Sequence, residues 1–89
     1  MTVIFAEQAH EEFEAWRKSS PKAAEKIIRL IEDIAENGPN KGIGKPEKLK
    51  HYKNPVRFSR EINKGNRMVY SIKDHTLVIL SCKGHYDDH

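Results

Sequence analysis

The spacing of hydrophobic positions changes along this chain, and each change predicts an element. Thr2 to Phe5 is rich in β-branched and aromatic residues and predicts a short strand. Ala6, Ala9, Phe13 and Trp16 then recur at helical spacing, which predicts an amphipathic helix. Glu7, Glu11 and Glu12 lie early in it and Arg17 and Lys18 late, an order that suits the helix dipole. Ser20 is the expected N-cap of a second helix, with Pro21 at its first position. Ala24, Ile27, Ile28, Ile31, Ile34 and Ala35 form the apolar stripe of that helix, and Asn37-Gly38-Pro39 stops it.

From Pro39 to Pro55 the periodicity lapses. This stretch holds Gly42, Gly44, Pro46 and the lysines Lys41, Lys45, Lys48, Lys50 and Lys53, and it predicts a mostly irregular segment with a short strand near Leu49. Alternation returns at Val56 to Ile62, with Val56, Phe58 and Ile62 on one face. Asn63-Lys64-Gly65-Asn66 is a hairpin turn. Arg67 to Ile72 alternates again with Met68, Tyr70 and Ile72 apolar, so Arg67 is expected to point outward from the sheet. Asp74-His75 turns the chain into Thr76–Lys83, which is apolar on both faces like a central strand. The order β-α-α-β-β-β predicts one small α+β domain over residues 1–89, with a mainly antiparallel sheet and two helices packed on one face. A three-residue hairpin loop would set Glu61 and Arg67 on one face, and a two-residue loop would shift that register.

A chain of 89 residues has no room for a deep interdomain cleft, so a site must lie on an open face built from strand ends and loops. The net charge of +3 and pI near 9.1 suit a polyanionic partner without demanding one. Cys82 is the only cysteine and stands in the apolar run Leu77 to Cys82. It reads as a buried small hydrophobe in a cytoplasmic chain rather than as a nucleophile. No apolar stretch approaches membrane-spanning length, and no membrane partner is expected. His10, His51 and His75 lie at no metal-ligand spacing, and Gly42-Ile43-Gly44-Lys45 lacks the spacing of a P-loop. Taken singly, Arg67 reads as a solvated strand residue, Glu47 as a surface carboxylate, and His85-Tyr86 as an ordered end of the chain.

Taken in order, the motifs carry more. Gly42-Ile43-Gly44-Lys45-Pro46-Glu47-Lys48-Leu49-Lys50-His51 resembles the G-x-G-K-P-E-P-L-K-H segment of the YoeB/Txe toxins, a branch of the RelE-like ribonuclease toxins. Phe58-Ser59-Arg60-Glu61-Ile62 resembles that family's W-S-R-R-I, Asn66-Arg67-Met68-Val69-Tyr70 its H-R-L-V-Y, and His85-Tyr86 its terminal H-Y. The resemblance spans nearly the whole chain, including Trp16 and the second helix. It implies a RelE-like fold and a toxin of a type II toxin–antitoxin system. The implied activity is that of an mRNA interferase, an endoribonuclease acting in the ribosomal A site.

Residue by residue, the resemblance makes Glu47 the general base, Arg67 the phosphate-binding cation and His85 the general acid. Tyr86 and Lys50 become auxiliary site residues. Lys45, Lys50 and Arg60 are expected to bind RNA. The implied mechanism is attack by the RNA 2′-hydroxyl, with no metal and no cofactor. The implied partners are a cognate antitoxin protein, the mRNA and the ribosome, with a homodimer also admitted. Three departures stand out: Glu61 replaces the second arginine of S-R-R-I, Phe58 replaces its tryptophan, and Asp87-Asp88-His89 follows the His-Tyr pair. Glu61 and the acidic tail favour an alternative, a catalytically weakened homologue that serves mainly in antitoxin binding and repressor assembly.

Overall fold

The computed structural model describes residues 1–84. Strand β1 (Thr2–Phe5) leads into helices α1 (Glu7–Ser19) and α2 (Pro21–Asn37), followed by strands β2 (Glu47–Lys53), β3 (Val56–Asn63), β4 (Asn66–Lys73) and β5 (Thr76–Ser81). The strands form one five-stranded sheet in the order β1-β5-β4-β3-β2. All pairings are antiparallel except β1 on β5, which is parallel. β5 is thus flanked on both sides, in keeping with its apolar sequence. Neither helix is long and apolar enough to cross a membrane.

Both helices cover one face, as the apolar stripes require. Ala9, Ala23, Ile27, Leu30 and Ile34 pack against Phe58, Ile62, Met68, Tyr70, Leu77 and Ile79, and the Phe58 and Tyr70 rings stack with centroids 5.8 Å apart. Full burial of each large aliphatic side chain here contributes about 1.5–3 kcal/mol. The turn between the helices forms as expected: Ser20 Oγ accepts from the Ala23 N–H at 3.3 Å, and Pro21 opens α2. Helix α1 is tied to the end of β5 at two points. The Trp16 indole donates to the Cys82 carbonyl and the Glu12 carboxylate accepts from the Cys82 N–H, each at 2.7 Å. Burial pushes the Cys82 thiol up to about 12, with the Glu12 charge adding to the effect. The thiol therefore packs as a small hydrophobe.

The segment from Pro39 to Pro55 is irregular except for β2, Glu47–Lys53, which is the strand expected near Leu49 and pairs along the edge of β3. Its lysines are tolerated on the solvated side of an edge strand. Two local features differ from the sequence expectation. The β3–β4 hairpin has a two-residue turn, Lys64-Gly65, yet Glu61 still pairs directly with Arg67. An extra residue at Ile62 bulges β3 and restores the register that a longer loop would have produced. Finally, Arg67 does point away from the helices but is not solvated, being only 7% exposed.

Candidate active site

Gly38 to Pro46 carries the chain from the end of α2 to the start of β2 without helix or strand. Two glycines let it lie against the body of the protein. A Cβ on Gly44 would stand 2.7 Å from Leu30 Cδ2 and 3.1 Å from Arg60 Cβ, and φ there is +82°. A Cβ on Gly42 would collide with the Asp33 carboxylate. The spacing of these two glycines is therefore set by close approach to α2 and β3.

Arg60 holds this loop. It was expected to bind RNA, and the structure corrects that: its side chain is fully buried beneath the loop, on the helix-covered side of the sheet. Its guanidinium donates to the Asp33 carboxylate, the Tyr70 hydroxyl, and the carbonyls of Gly38, Lys41 and Ile43. The Tyr70 hydroxyl in turn donates to the Pro39 carbonyl at 2.7 Å, and Asp33 also accepts from the Ile43 N–H at 3.1 Å. The hydrogen bond from Arg60 holds the Asp33 carboxyl below its usual range against the opposing effect of burial, and Asn37 and the Ile43 N–H assist. Burial pushes the Tyr70 hydroxyl up, only partly offset by Arg60. The alternation Phe58, Arg60, Ile62 was a legible signal that Arg60 shares the core face.

The loop then passes onto the opposite face of the sheet. Its Gly44 carbonyl accepts from the Glu61 N–H at 2.7 Å. Its Lys45 carbonyl accepts from Arg67 Nη2, also at 2.7 Å. Arg67 further donates through Nε to Ser59 Oγ at 2.9 Å and through Nη2 to the Ser59 carbonyl at 3.1 Å. These bonds occupy Nε and Nη2; among the described residues Nη1 makes no hydrogen bond. The cation is therefore held in one orientation by β3 and the loop.

Glu47 opens β2, and its pairing with Ser59 puts it on the face of Arg67. Its side chain is 60% exposed, with Oε1 3.9 Å from Arg67 Nη2. Lys45, at 81% exposure, reaches to 3.9 Å from Glu61, which lies across the strands from Arg67. Four charges of alternating sign thus meet on one open face. Lys50 is exposed on β2. Arg57, two residues before Ser59 on β3, lies over the Tyr52 ring at 4.4 Å from its centroid. Ser59, Asp33 and Tyr70 were not singled out from the sequence as site residues.

His85 and Tyr86, expected at the site, lie outside the described residues, as does the tail Asp87-Asp88-His89. The residue before them, Gly84, is fixed beside the site. Its carbonyl accepts from the Arg67 N–H and its N–H donates to Asn66 Oδ1, each at 2.9 Å. Among the described residues no group of three or more His, Cys, Asp or Glu side chains is arranged to hold a metal ion.

This arrangement is set in a chain with clear relatives. Residues 5–86 match the family described as YoeB-like toxin of bacterial type II toxin-antitoxin system. The chain is 35% identical to Toxin YoeB of Escherichia coli (strain K12), covering 97% of this chain and all of that protein. It is 40% identical to Toxin YoeB of Streptomyces coelicolor with the same coverage. The structure of a YoeB dimer from Staphylococcus aureus superposes with a TM-score of 0.89 at 40% identity, covering 97% of this chain and 98% of that one. A heterotetrameric YoeB-YefM toxin-antitoxin complex from the same organism superposes with a TM-score of 0.85, at the same identity and coverage. The motif resemblance, the two-helix, five-stranded fold and these full-length matches agree: the chain belongs to the YoeB-like toxin family of bacterial type II toxin–antitoxin systems.

Proposed function

We propose that this toxin is a ribosome-dependent endoribonuclease that cuts mRNA by attack of the RNA 2′-hydroxyl on the adjacent phosphate. The observation that carries this reading is the pairing of an exposed Glu47 carboxylate with a preorganised Arg67 guanidinium at 3.9 Å. Strand cleavage needs a base, a cation at phosphorus and an acid. Glu47 takes the proton from the 2′-hydroxyl as that oxygen bonds to phosphorus. Arg67 supports the charge on the non-bridging oxygens, through the Nη1 edge that protein acceptors leave open among the described residues. His85 gives a proton to the departing 5′-oxygen, a role that imidazole can fill as a proton donor. The products are a 2′,3′-cyclic phosphate and a free 5′-hydroxyl. Tyr86 is an auxiliary group, and side chains alone supply the base, cation and acid.

Lys45 and Lys50 add sequence-independent attraction to the RNA backbone. Because RNA must reach this open face, an inhibitor that covers it would silence the enzyme. The YoeB-YefM complex of the Staphylococcus aureus relative supports a cognate antitoxin as that inhibitor, and the dimer of the same relative supports self-association. The site of action is the cytoplasm, where the ribosome presents its message.

Glu61 favours a second reading, in which the chain is a weakened toxin acting mainly in antitoxin binding and repressor assembly, because it sets a negative charge across from Arg67. Expression of the chain alone separates the two. Growth arrest with mRNA cut inside codons supports the nuclease. Harmless expression of a folded chain that still binds its antitoxin supports the second reading.

A further inference from the structure

A fully buried arginine is an expensive way to stabilise a loop. Removing a guanidinium from water costs several kcal/mol, and apolar residues of similar volume would often do as well for stability alone. Arg60 nonetheless lies at the centre of five hydrogen bonds, three of them to carbonyls of one short loop. A planar fork suits that task, since it can bind several carbonyls in a fixed arrangement where an ammonium could not. Asp33 and Tyr70 extend the same network to Ile43 and Pro39.

The consequences run along the chain. Ile43 is the last loop residue that Arg60 holds. The Gly44 carbonyl, next in sequence, is fastened to Glu61. The Lys45 carbonyl, one residue further, is the only contact Arg67 side-chain nitrogens make, among the described hydrogen bonds, to anything but Ser59. Two residues later Glu47 faces the same guanidinium. We propose that the Arg60–Asp33–Tyr70 network is a positioning device, which fixes the loop so that the Lys45 carbonyl orients the Arg67 guanidinium toward the scissile phosphate opposite Glu47. This inference rests on the nuclease reading of the site. Its three residues touch no substrate and act through Arg67.

Displacements of about 1 Å at a reacting group can cost on the order of a hundredfold in rate. The test uses Tyr70→Phe, which keeps the ring stacked on Phe58, and Asp33→Asn, which keeps the side-chain shape. Folding of each is confirmed by circular dichroism. The Arg67 Nε–H signal is followed in nitrogen-15 NMR spectra of the full chain. Single-turnover cleavage of ribosome-bound mRNA is measured in the parent and in an Arg67→Ala background. The expected result is a displaced, faster-exchanging Arg67 signal in both folded variants. The maximal rate falls about tenfold to a hundredfold with little change in half-saturating concentration. In the Arg67→Ala background the same substitutions cost less than about twofold, because groups acting through one another are not additive. Equal losses in both backgrounds, unchanged rates, or an unmoved Arg67 signal would overturn the inference. If the parent chain cleaves nothing, the nuclease reading fails, and the Arg67 signal alone decides whether the network positions that side chain.

Discussion

Glu61 lies directly across from Arg67 on the neighbouring strand, although only Lys64 and Gly65 form the turn between them. The bulge at Ile62 creates this opposition and puts a carboxylate beside the proposed phosphate site. Lys45, 3.9 Å from Glu61, offsets part of that charge, but both groups are solvated and such a pair contributes little to stability. Glu61→Arg is therefore expected to leave stability nearly unchanged and to lower the half-saturating RNA concentration several-fold at low salt. The gain should shrink as salt rises, since backbone attraction is screened. Cleavage assays across a salt series check this, and a gain independent of salt would speak against an electrostatic role.

Arg67 was expected to be an outward, solvated side chain. Its burial changes that expectation. Arg67→Ala strands the Ser59 hydroxyl and the Lys45 and Ser59 carbonyls. Each buried polar group left without a partner costs about 1–3 kcal/mol, less where water can enter the space vacated. Urea unfolding should show a loss of about that size for the whole substitution, with the slope of the transition unchanged. A midpoint equal to that of the parent would mean that these bonds contribute no net stability.

The glycines of the loop make a graded prediction. Gly44→Ala places a Cβ against Leu30, Arg60 and the Glu61 carbonyl at a φ of +82°, whereas Gly65→Ala meets only the strain of φ +90° with open space around it. Gly65→Ala should cost about 1 kcal/mol. Gly44→Ala should cost more, by about 1–3 kcal/mol of overpacking. Melting curves of the two variants give the order directly.

Acid should weaken the Arg60–Asp33 pair. The Arg60 hydrogen bond lowers the Asp33 pKa in the folded chain, from an ordinary value of 3.8. The unfolded state therefore takes up the proton first as pH falls. The stability contributed by ionised Asp33 is fully present above that ordinary value and is lost as pH drops through the lowered folded one. The difference in unfolding free energy between the parent and Asp33→Asn should be constant near neutrality and shrink below about pH 4. Urea titrations at several pH values measure it. A difference that stays constant into strong acid would show that the Asp33 charge contributes nothing.

Much of the fold was legible because burial on one face imposes a period. Ala24, Ile27, Ile31 and Ile34 of the expected α2 stripe are wholly or partly buried, while Ile28 and Ala35 are exposed, and the alternation of Met68, Tyr70 and Ile72 marks the face that the helices cover. The edge strand β2 was legible only near Leu49, because its lysines interrupt the apolar signal. What escaped was local. The register around Arg67 depends on a bulge, which no hydrophobic period reports. At the site, Glu47 and Arg67, both named by the motif resemblance, lie 3.9 Å apart, whereas the same resemblance treated Arg60 as one more basic residue. Its parity with Phe58 and Ile62 placed it in the core, and only the partly buried Asp33 carboxylate and the hydroxyl and carbonyls around it explain how a charge can lie there. Sequence spacing holds no sign of Asp33 reaching Arg60, because that contact joins α2 to β3 across the loop.

The central claim is that Glu47 and Arg67 work together on RNA. Its most direct measurement is single-turnover cleavage of an mRNA bound in the ribosomal A site, with the purified chain, Glu47→Gln and Arg67→Ala compared at equal folded concentration. The parent chain is expected to cut, and each variant to fall on the order of a hundredfold or more in rate. A folded parent chain that leaves the message intact, or variants that cut it at the parent rate, would contradict it.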